Sequence, residues 1–536
     1  MVAVTIGVAA TTPLEVPPEI DHYRDMGAAE AILAGQWGHD PALLGETAWY
    51  PPLLPLVMAT LGRVTALPLT TLYVHAGPLL NAAAPVAFYV LARHLFGGWT
   101  AVLSLVGFLF AINSATTSWA QACYSPWVWP VLFAQTFYYL TLKAWLEASE
   151  KPSVGRSCLA GVLLGLTFLA HPAPAVLLVV TMVLLSVFQA LATPARCRSI
   201  VQHLLAIGAV SAVVCAPFLV PLVTRYGLNT QNPVPSRFGG VWLSDVARSH
   251  LSLRTVGALA ALGWLWCRMQ ASRMRLQDWS VLTAWALAGG GLIYGIAAQK
   301  LELRGVQVPL LFPTFHFHFY VLAMEALLFG PGLVWLAQSL IKHAPFGPVP
   351  SAVHSKQWIA PLTVLVLVVA ELPSYRARDD FTHWPEESRE FARDATLRSV
   401  YDWARRELGP RDVVLASTRL GMYAVVASGH CILSTYPSMT NPYVAIESRE
   451  AARQTMFEHL RARDFAAFAS LAAEYGITYV VAEVTDEPCC ALNPIDSPYF
   501  RVRHRAPKAI VYEFLGTSVP YPQAHYGSVQ CPAFPE

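Results

Sequence analysis

Polar positions are sparse along the first two-thirds of the chain. They separate apolar runs near 72–92, 99–118, 126–143, 157–170, 173–192, 203–222, 253–267, 280–298, 318–340 and 357–372. Such runs approach the roughly 20 residues an α-helix needs to cross a bilayer. The stretch 157–192 is a single apolar block of 36 residues, too long for one helix, and its break is expected at His171-Pro172. Proline disfavours helical geometry in the residue before it and has no amide proton to continue the ladder. The half before the break is short, which predicts a helix ending below the membrane surface in a protein-lined cavity. Residues 1–14 are apolar, short for a span and without a basic leader segment, and read as a clipped first helix. Beyond residue 373 the pattern changes to helices at 386–408, 418–427, 447–460 and 464–475. They are interleaved with strands at 413–416, 431–434, 477–484 and a hairpin 500–505 with 509–515, turning at Ala506-Pro507. That order predicts a small α/β domain, a three-layer sandwich with a mostly parallel sheet, followed after Gly516 by an extended tail.

Composition separates the same two regions. The 536 residues are 55% hydrophobic and 13% charged, with a mean hydropathy of +0.44. A soluble domain carries about 25% charged residues. Residues 374–536 hold 17 Lys/Arg and 20 Asp/Glu, an ordinary soluble balance, whereas residues 1–373 hold 19 and 14 in more than twice the length. The chain therefore reads as a polytopic α-helical membrane module over 1–373, with about 10–11 transmembrane helices, and a soluble α/β domain over 374–536. A net charge of +2 with no clustered basic stripe gives nucleic acid no footprint.

Positive charge sets the direction. Alternate loops carry Arg93; Lys143, Lys151 and Arg156; Arg196 and Arg198; Arg268, Arg273 and Arg275; Lys342 and Lys356. The intervening loops are poorer, with Arg225, Arg237 and Arg248 in 225–252 and Lys300 and Arg304 in 299–315. The basic loops belong in the cytoplasm. A first external loop over about 15–71, His171, the 225–252 and 299–315 loops and the C-terminal domain are then expected outside an inner (plasma) membrane.

The external loop concentrates the chemistry. Seven of the 14 acidic residues before position 374 lie between Glu15 and Glu46. Residues 20–34 carry helical spacing that ends at Gly35, and Asp21 and Asp25, four apart, share a face. A solvated loop surface explains carboxylates of this kind equally well. What argues against it is the frame: an acid just after a membrane helix, then a helix, then Trp49-Tyr50-Pro51-Pro52-Leu53 opening an apolar stretch too early to be the next span.

At these residues the chain resembles the GT-C superfamily of polytopic glycosyltransferases. It is most similar to the branch of protein O-mannosyltransferases and lipid A aminoarabinose transferase. The matching pieces are Asp21, Ala29 through Gly35, Tyr50-Pro51-Pro52-Leu53, Ala92-Arg93-His94-Leu95-Phe96-Gly97, the segment Gly161 to Pro172, and Leu471 to Val481 in the C-terminal domain. The residue after Asp21 is His22, where the mannosyltransferase pair has Glu. The resemblance implies sugar transfer from a polyprenyl-phosphate-linked donor to a lipid, glycan or protein acceptor at the outer membrane face. Asp21 is then the general base, since an acceptor hydroxyl gains from a carboxylate that takes its proton. Arg24 orients Asp21 or offsets its charge, and Asp25 and Tyr50 join it as substrate-binding residues. The leaving lipid phosphate needs cationic or hydrogen-bonding groups. Lys300, Arg304, His316 and His318 are the external-side candidates.

Each has a plainer explanation. Lys300 and Arg304 could flank a helix end and pair with Glu302; His316 and His318 alternate with Phe315, Phe317 and Phe319 as in an interfacial aromatic belt. Their His-x-His spacing lacks further ligands, so no metal site is assigned, although the loop carboxylates leave a divalent cation possible. His171 is part structural cap and part pocket residue. Glu325, inside a span, is expensive in lipid and is expected to face a cavity or a partner. In the soluble domain, Cys431 reads as a buried strand residue and Cys431, Cys489, Cys490 and Cys531 give no firm pairing. No phosphate loop or nucleophile elbow follows any strand. Two other functions stay open: an inactive lipid-linked-sugar-binding or scaffold protein, and a transporter or flippase, the latter without the internal repeat that its class shows.

Overall fold

The computed structural model describes residues 1–112, 117–343, 356–484, 492 and 495–516. The chain divides into two compact units: Met1–Pro13, Val74–Leu219 and Ser236–Glu386 form one, and Leu14–Tyr73, Val220–Pro235 and Glu387–Glu536 the other.

The first unit is helical. Five helices among the described residues are long and apolar enough to cross a membrane, or six with a bent pair. They are Gly77–Phe96, Pro172–Ala192, Pro194–Tyr226, Leu276–Glu302 and Phe315–Leu340, so the protein is a multi-pass membrane protein. Shorter or more polar helices, Gly98–Leu109, Pro130–Glu150, Val154–Ala170, Leu253–Gln270 and Lys356–Arg376, occupy the other expected spans. Phe315–Leu340 is the hub, with 78% of its apolar window buried against 22% for Pro194–Tyr226. Small residues let backbones approach it closely. A Cβ on Gly332 would meet the backbone of Gly257, and one on Gly107 would meet the ring of Phe329.

Two expected spans differ in detail. The 72–92 run is interrupted at Ala76 and again at Asn81-Ala82. Asn81 is buried and donates to the carbonyls of Ser125 and Trp127 at 2.9 and 2.7 Å, so a polar anchor breaks the helix. The helix of the 99–118 run ends at Leu109. The break at His171 is as expected: its backbone is extended (φ −163°, ψ 132°), and its Nδ1 accepts from the Ala173 amide at 3.3 Å, capping Pro172–Ala192.

In the second unit a five-stranded sheet runs in the order β2-β1-β3-β5-β4, with β1 Val413–Leu415, β2 Cys431–Ile432, β3 Ile477–Glu483, β4 Phe500–Ala506 and β5 Ala509–Phe514. Neighbours β2, β1 and β3 are parallel, whereas β3, β5 and β4 are antiparallel. The sheet is thus mixed rather than mostly parallel, because the terminal hairpin adds its strands beside β3.

Alternation along the strands sends side chains into two cores. Val414, Ile432, Val481 and Val511 pack with Leu397, Val400 and Trp403 of Ala395–Glu407. Val413, Leu415, Val480 and Ile510 pack with Met456, Phe457 and Phe468 of Ile446–Ala462 and Phe465–Tyr475. This is the expected three-layer arrangement. The helix expected over 386–408 is two, His383–Arg393 and Ala395–Glu407, because Asp394 accepts from the Leu397 amide at 2.9 Å and starts a new helix. The 418–427 helix is a short turn of α-helix followed by π and 3₁₀ turns to Gly429, whose φ of +85° needs glycine. Cys431 is a buried free thiol in β2, while Cys489, Cys490, Cys531 and the tail after Gly516 lie outside the described residues.

Candidate active-site carboxylates and a buried arginine

The carboxylates sit on the helix Ile20–Leu33, in the second unit. Its start is fixed by Glu19, whose side chain accepts from the Asp21 amide at 2.9 Å. Its position is fixed by Gly27, where a Cβ would strike the carbonyl of Val426. No side chain fits at this position between the helix and the 421–428 turns, and that contact holds the helix face in register.

On the first two turns one guanidinium serves two carboxylates. Arg24, 7% exposed, places Nη1 2.6 Å from Asp21 Oδ1, and its Nε and Nη2 donate to Asp25 Oδ1 at 3.0 and 2.9 Å. Its Cζ lies 3.6 Å over the Tyr50 ring, a cation–π contact in a desolvated setting. Asp21, Arg24, Asp25 and Tyr50 therefore form one cluster. Within it the carboxylates differ: the Asp21 side chain is 30% exposed, that of Asp25 is 1% exposed. Burial raises the Asp25 carboxyl above the usual carboxylate range, with Arg24 opposing, and its Oδ2 has no hydrogen-bond partner among the described residues. His22, at the position of the second acid in the mannosyltransferase pair, is fully buried; burial lowers its imidazole to about 4, so it is neutral at pH 7. Asp21 is the group of this cluster that can meet a solvent-borne proton.

A second knot joins the rest of the loop to the unit. Asp40 Oδ1 accepts from the amides of Ala42 and Leu43 at 2.9 and 3.2 Å, and Oδ2 accepts from Asn441 at 3.3 Å. The Tyr226 hydroxyl donates to Glu46 at 2.8 Å and accepts from the Thr47 amide at 2.8 Å.

The remaining expected site residues belong to the first unit. His171 and His316 bring their ring centroids to 4.4 Å. His318 is buried with Nε2 2.8 Å from the Ser249 hydroxyl, and its ring packs edge-on to His250. Glu325 has the partners its cost demanded: His250 Nδ1 at 3.0 Å and the Thr255 hydroxyl at 3.1 Å. Lys300 and Arg304 are exposed and form no ion pair among the described residues; Glu302 pairs with Arg237 instead.

Arg254 stands out here. It lies in the first turn of Leu253–Gln270 and is fully buried. Its Nη1 donates to the Ala122 carbonyl at 3.3 Å, while Nε and Nη2 have no hydrogen-bond partner among the described residues. The carboxylate acting on it is Glu325, whose oxygens His250 and Thr255 already occupy. A buried guanidinium with donors to spare, in the first turn of a helix, suits an anion. The sequence carried one signal for it: a cation inside an apolar span. For a divalent cation the donor set fits poorly. No group of three or more His, Cys, Asp and Glu side chains is placed to hold one among the described residues, and Asp21 and Asp25 already share Arg24.

No protein-family model matches the chain, and no curated protein matches it in sequence. Solved structures do match it. ArnT from Cupriavidus metallidurans, bound to undecaprenyl phosphate, superposes with a TM-score of 0.54 at 15% identity, over 97% of this chain and 98% of ArnT. The oligosaccharyltransferase of Archaeoglobus fulgidus in its apo form gives 0.53 at 11% identity, over 90% of this chain and 69% of that one. The same archaeal enzyme, AglB, with an inhibitory peptide and a dolichol-phosphate, gives 0.54 at 10% identity over 90% and 69%. The chain has the fold of the GT-C polytopic membrane glycosyltransferases.

Proposed function

We propose that the protein transfers a sugar from a polyprenyl-phosphate-linked donor to an acceptor hydroxyl at the outer face of the membrane. The observation that carries this reading is the Asp21 carboxylate, part-exposed on a helix whose other acid is buried and whose arginine is clamped. The fold supports it, since the ArnT and AglB structures hold undecaprenyl phosphate and dolichol-phosphate.

In the step, the acceptor oxygen attacks the anomeric carbon as its proton passes to Asp21. The bond from that carbon to the phosphate oxygen breaks, and polyprenyl phosphate leaves with the electron pair. The configuration at carbon inverts. Arg24 holds Oδ1 of Asp21 through Nη1, which fixes the carboxylate plane. The phosphate gathers charge as it leaves and needs donors kept away from water. Arg254 has two such donors and joins Lys300 and Arg304 as a candidate for this role. His171 and His316 are kept as donor-binding residues, and no step is routed through a cation.

The test reconstitutes the whole chain in proteoliposomes with a panel of polyprenyl-phosphate sugars and measures free polyprenyl phosphate. The wild type should release it, and Asp21→Asn should lose roughly 10²–10⁴-fold in rate with an unchanged melting temperature. Release that survives the substitution would remove Asp21 from the mechanism. Absence of release with every donor, despite donor binding, would replace transfer by a binding or scaffold role.

A further inference from the structure

Remote from the carboxylate helix in sequence, the first unit contains a cavity of about 280 Å³ between the ends of Pro130–Glu150, Pro172–Ala192 and Cys197–Tyr226. Its polar lining includes Ser149, Ser186, Gln189, Arg196, Ser199 and His203. Neither the sugar-transfer step nor the packing of the hub helix uses these groups. Ser186 is 3% exposed, so it is polar at a depth where Leu or Ala would pack more cheaply. His203 is fixed through Nδ1 by the Ser157 hydroxyl at 2.6 Å, leaving Nε2 as its remaining polar atom. Arg196 immediately precedes the 30-residue helix Cys197–Tyr226, whose first turn lines the cavity at Ser199 and Ile200. A guanidinium, hydroxyl donors and the positive end of a long helix dipole converge on one space, an arrangement that suits a phosphate. The lining has a single carboxylate, Glu150, and Gln277 donates to it at 2.6 Å.

The apolar part of the wall includes Trp145, Leu204 and Ile207. Around it the same helix ends turn large apolar side chains outward, Phe188 at 62%, Leu191 at 73% and Leu205 at 66% exposure, as faces set in hydrocarbon do. The loops here, with Lys151, Arg156, Arg196 and Arg198, are those the charge asymmetry assigns to the cytoplasm. Basic pockets between membrane helices on that side take anionic lipid headgroups.

We propose that this cavity is a binding site for an anionic glycerophospholipid of the inner leaflet. Its phosphate meets Arg196, Ser199 and His203, and its glycerol and first methylenes lie along Trp145 and Leu204. A soluble anion would use the polar half and leave the apolar half empty. The site is independent of the proposed sugar transfer and stands or falls without it.

The experiment measures the melting temperature of the full chain in neutral detergent, titrated separately with phosphatidylglycerol, phosphatidylcholine and inorganic phosphate. Phosphatidylglycerol should raise it saturably, and the other two should not. Arg196→Gln should weaken the apparent affinity roughly tenfold, the scale of one charge-assisted hydrogen bond. Ser199→Leu should abolish the shift by filling the cavity without changing charge, and Arg273→Gln, which removes the same charge from another basic loop, should leave it intact. Equal shifts with phosphatidylcholine, or a shift from phosphate alone, would overturn the assignment. So would a phosphatidylglycerol response that survives Arg196→Gln and Ser199→Leu together, both folded.

Discussion

Arg24 Nη1 lies 2.6 Å from Asp21 Oδ1 while Nε and Nη2 of the same guanidinium are committed to Asp25. The arginine is thus held from one side by a buried acid and from below by the ring of Tyr50, and it holds the part-exposed acid from the other side. A fork of donors is needed for this, which a lysine cannot provide. Arg24→Lys should therefore keep the charge balance and the fold but lower the transfer rate roughly 10–100-fold, because Asp21 loses its orientation. Arg24→Gln should destabilise the protein by about 3–5 kcal/mol, since it strands a buried carboxylate. Rates in proteoliposomes and melting curves in detergent separate the two. An unchanged rate for Arg24→Lys would mean that the pair only offsets charge.

Tyr50 offers a complementary test. Arg24 meets its ring face and also donates to its hydroxyl oxygen, so Tyr50→Phe should keep the cation–π contact and lose only the hydrogen bond, about 0.5–1.5 kcal/mol. Tyr50→Leu should lose about 0.5–2 kcal/mol of the cation–π contribution. If Tyr50→Phe falls as far as Tyr50→Leu, the hydroxyl rather than the ring matters, and a substrate contact through oxygen is implied.

Asp40 gives a pH signature. Burial raises its carboxyl to about 6, against hydrogen bonds from the Ala42 amide and Asn441. The folded state then binds a proton more tightly than the unfolded chain between about pH 4 and 6, so stability falls as pH rises through that window. A carboxyl held that far above its ordinary value accounts for about 3 kcal/mol at most. The stability of Asp40→Asn relative to wild type should increase from pH 4 to pH 7, as read from melting curves at stepped pH. A parallel pH dependence in both proteins would show that Asp40 titrates normally.

Periodicity and backbone chemistry made part of the molecule legible in its sequence. Proline after His171 disfavours helical geometry at that residue, and the break falls there, although Pro331, Pro361 and Pro373 lie inside continuous helices; the spacing of residues 20–34 specifies the Asp21 helix before any contact is known. The features that stayed hidden depend on contacts between distant segments or on single side-chain caps. The 386–408 pattern is apolar at helical spacing across Asp394, and only the capping of the Leu397 amide by that side chain divides it. Parallel and antiparallel strands carry the same alternation, so the hairpin's antiparallel partner in β3 was invisible. Asp21 and Tyr50 were legible through motif order. The Asp21–Arg24 pair, three residues apart on one helix, was legible too; the ties of Arg24 to Asp25 and to Tyr50 were not, because a guanidinium's partners are fixed by geometry. Arg254 carries a single signal in the sequence, a cation at the start of an apolar span, and its burial comes only from contacts between distant segments.

Arg254 supplies the sharpest test, because the proposed role and a merely structural one predict opposite signs. Its Nε and Nη2 are buried without hydrogen-bond partners among the described residues, so in the absence of donor the residue costs stability, by about 1–3 kcal/mol for unmet hydrogen bonds. Arg254→Met fills similar volume with apolar atoms and should raise the melting temperature of the donor-free protein. It should also weaken the polyprenyl-phosphate donor roughly 10–100-fold in KM, the scale of one or two charge-assisted hydrogen bonds. Arg254→Lys should recover part of the affinity and little of the stability gain. A structural arginine would lose stability on substitution to Met and leave donor KM within about twofold of wild type. Donor titrations in proteoliposomes and melting curves on the same three proteins distinguish the cases.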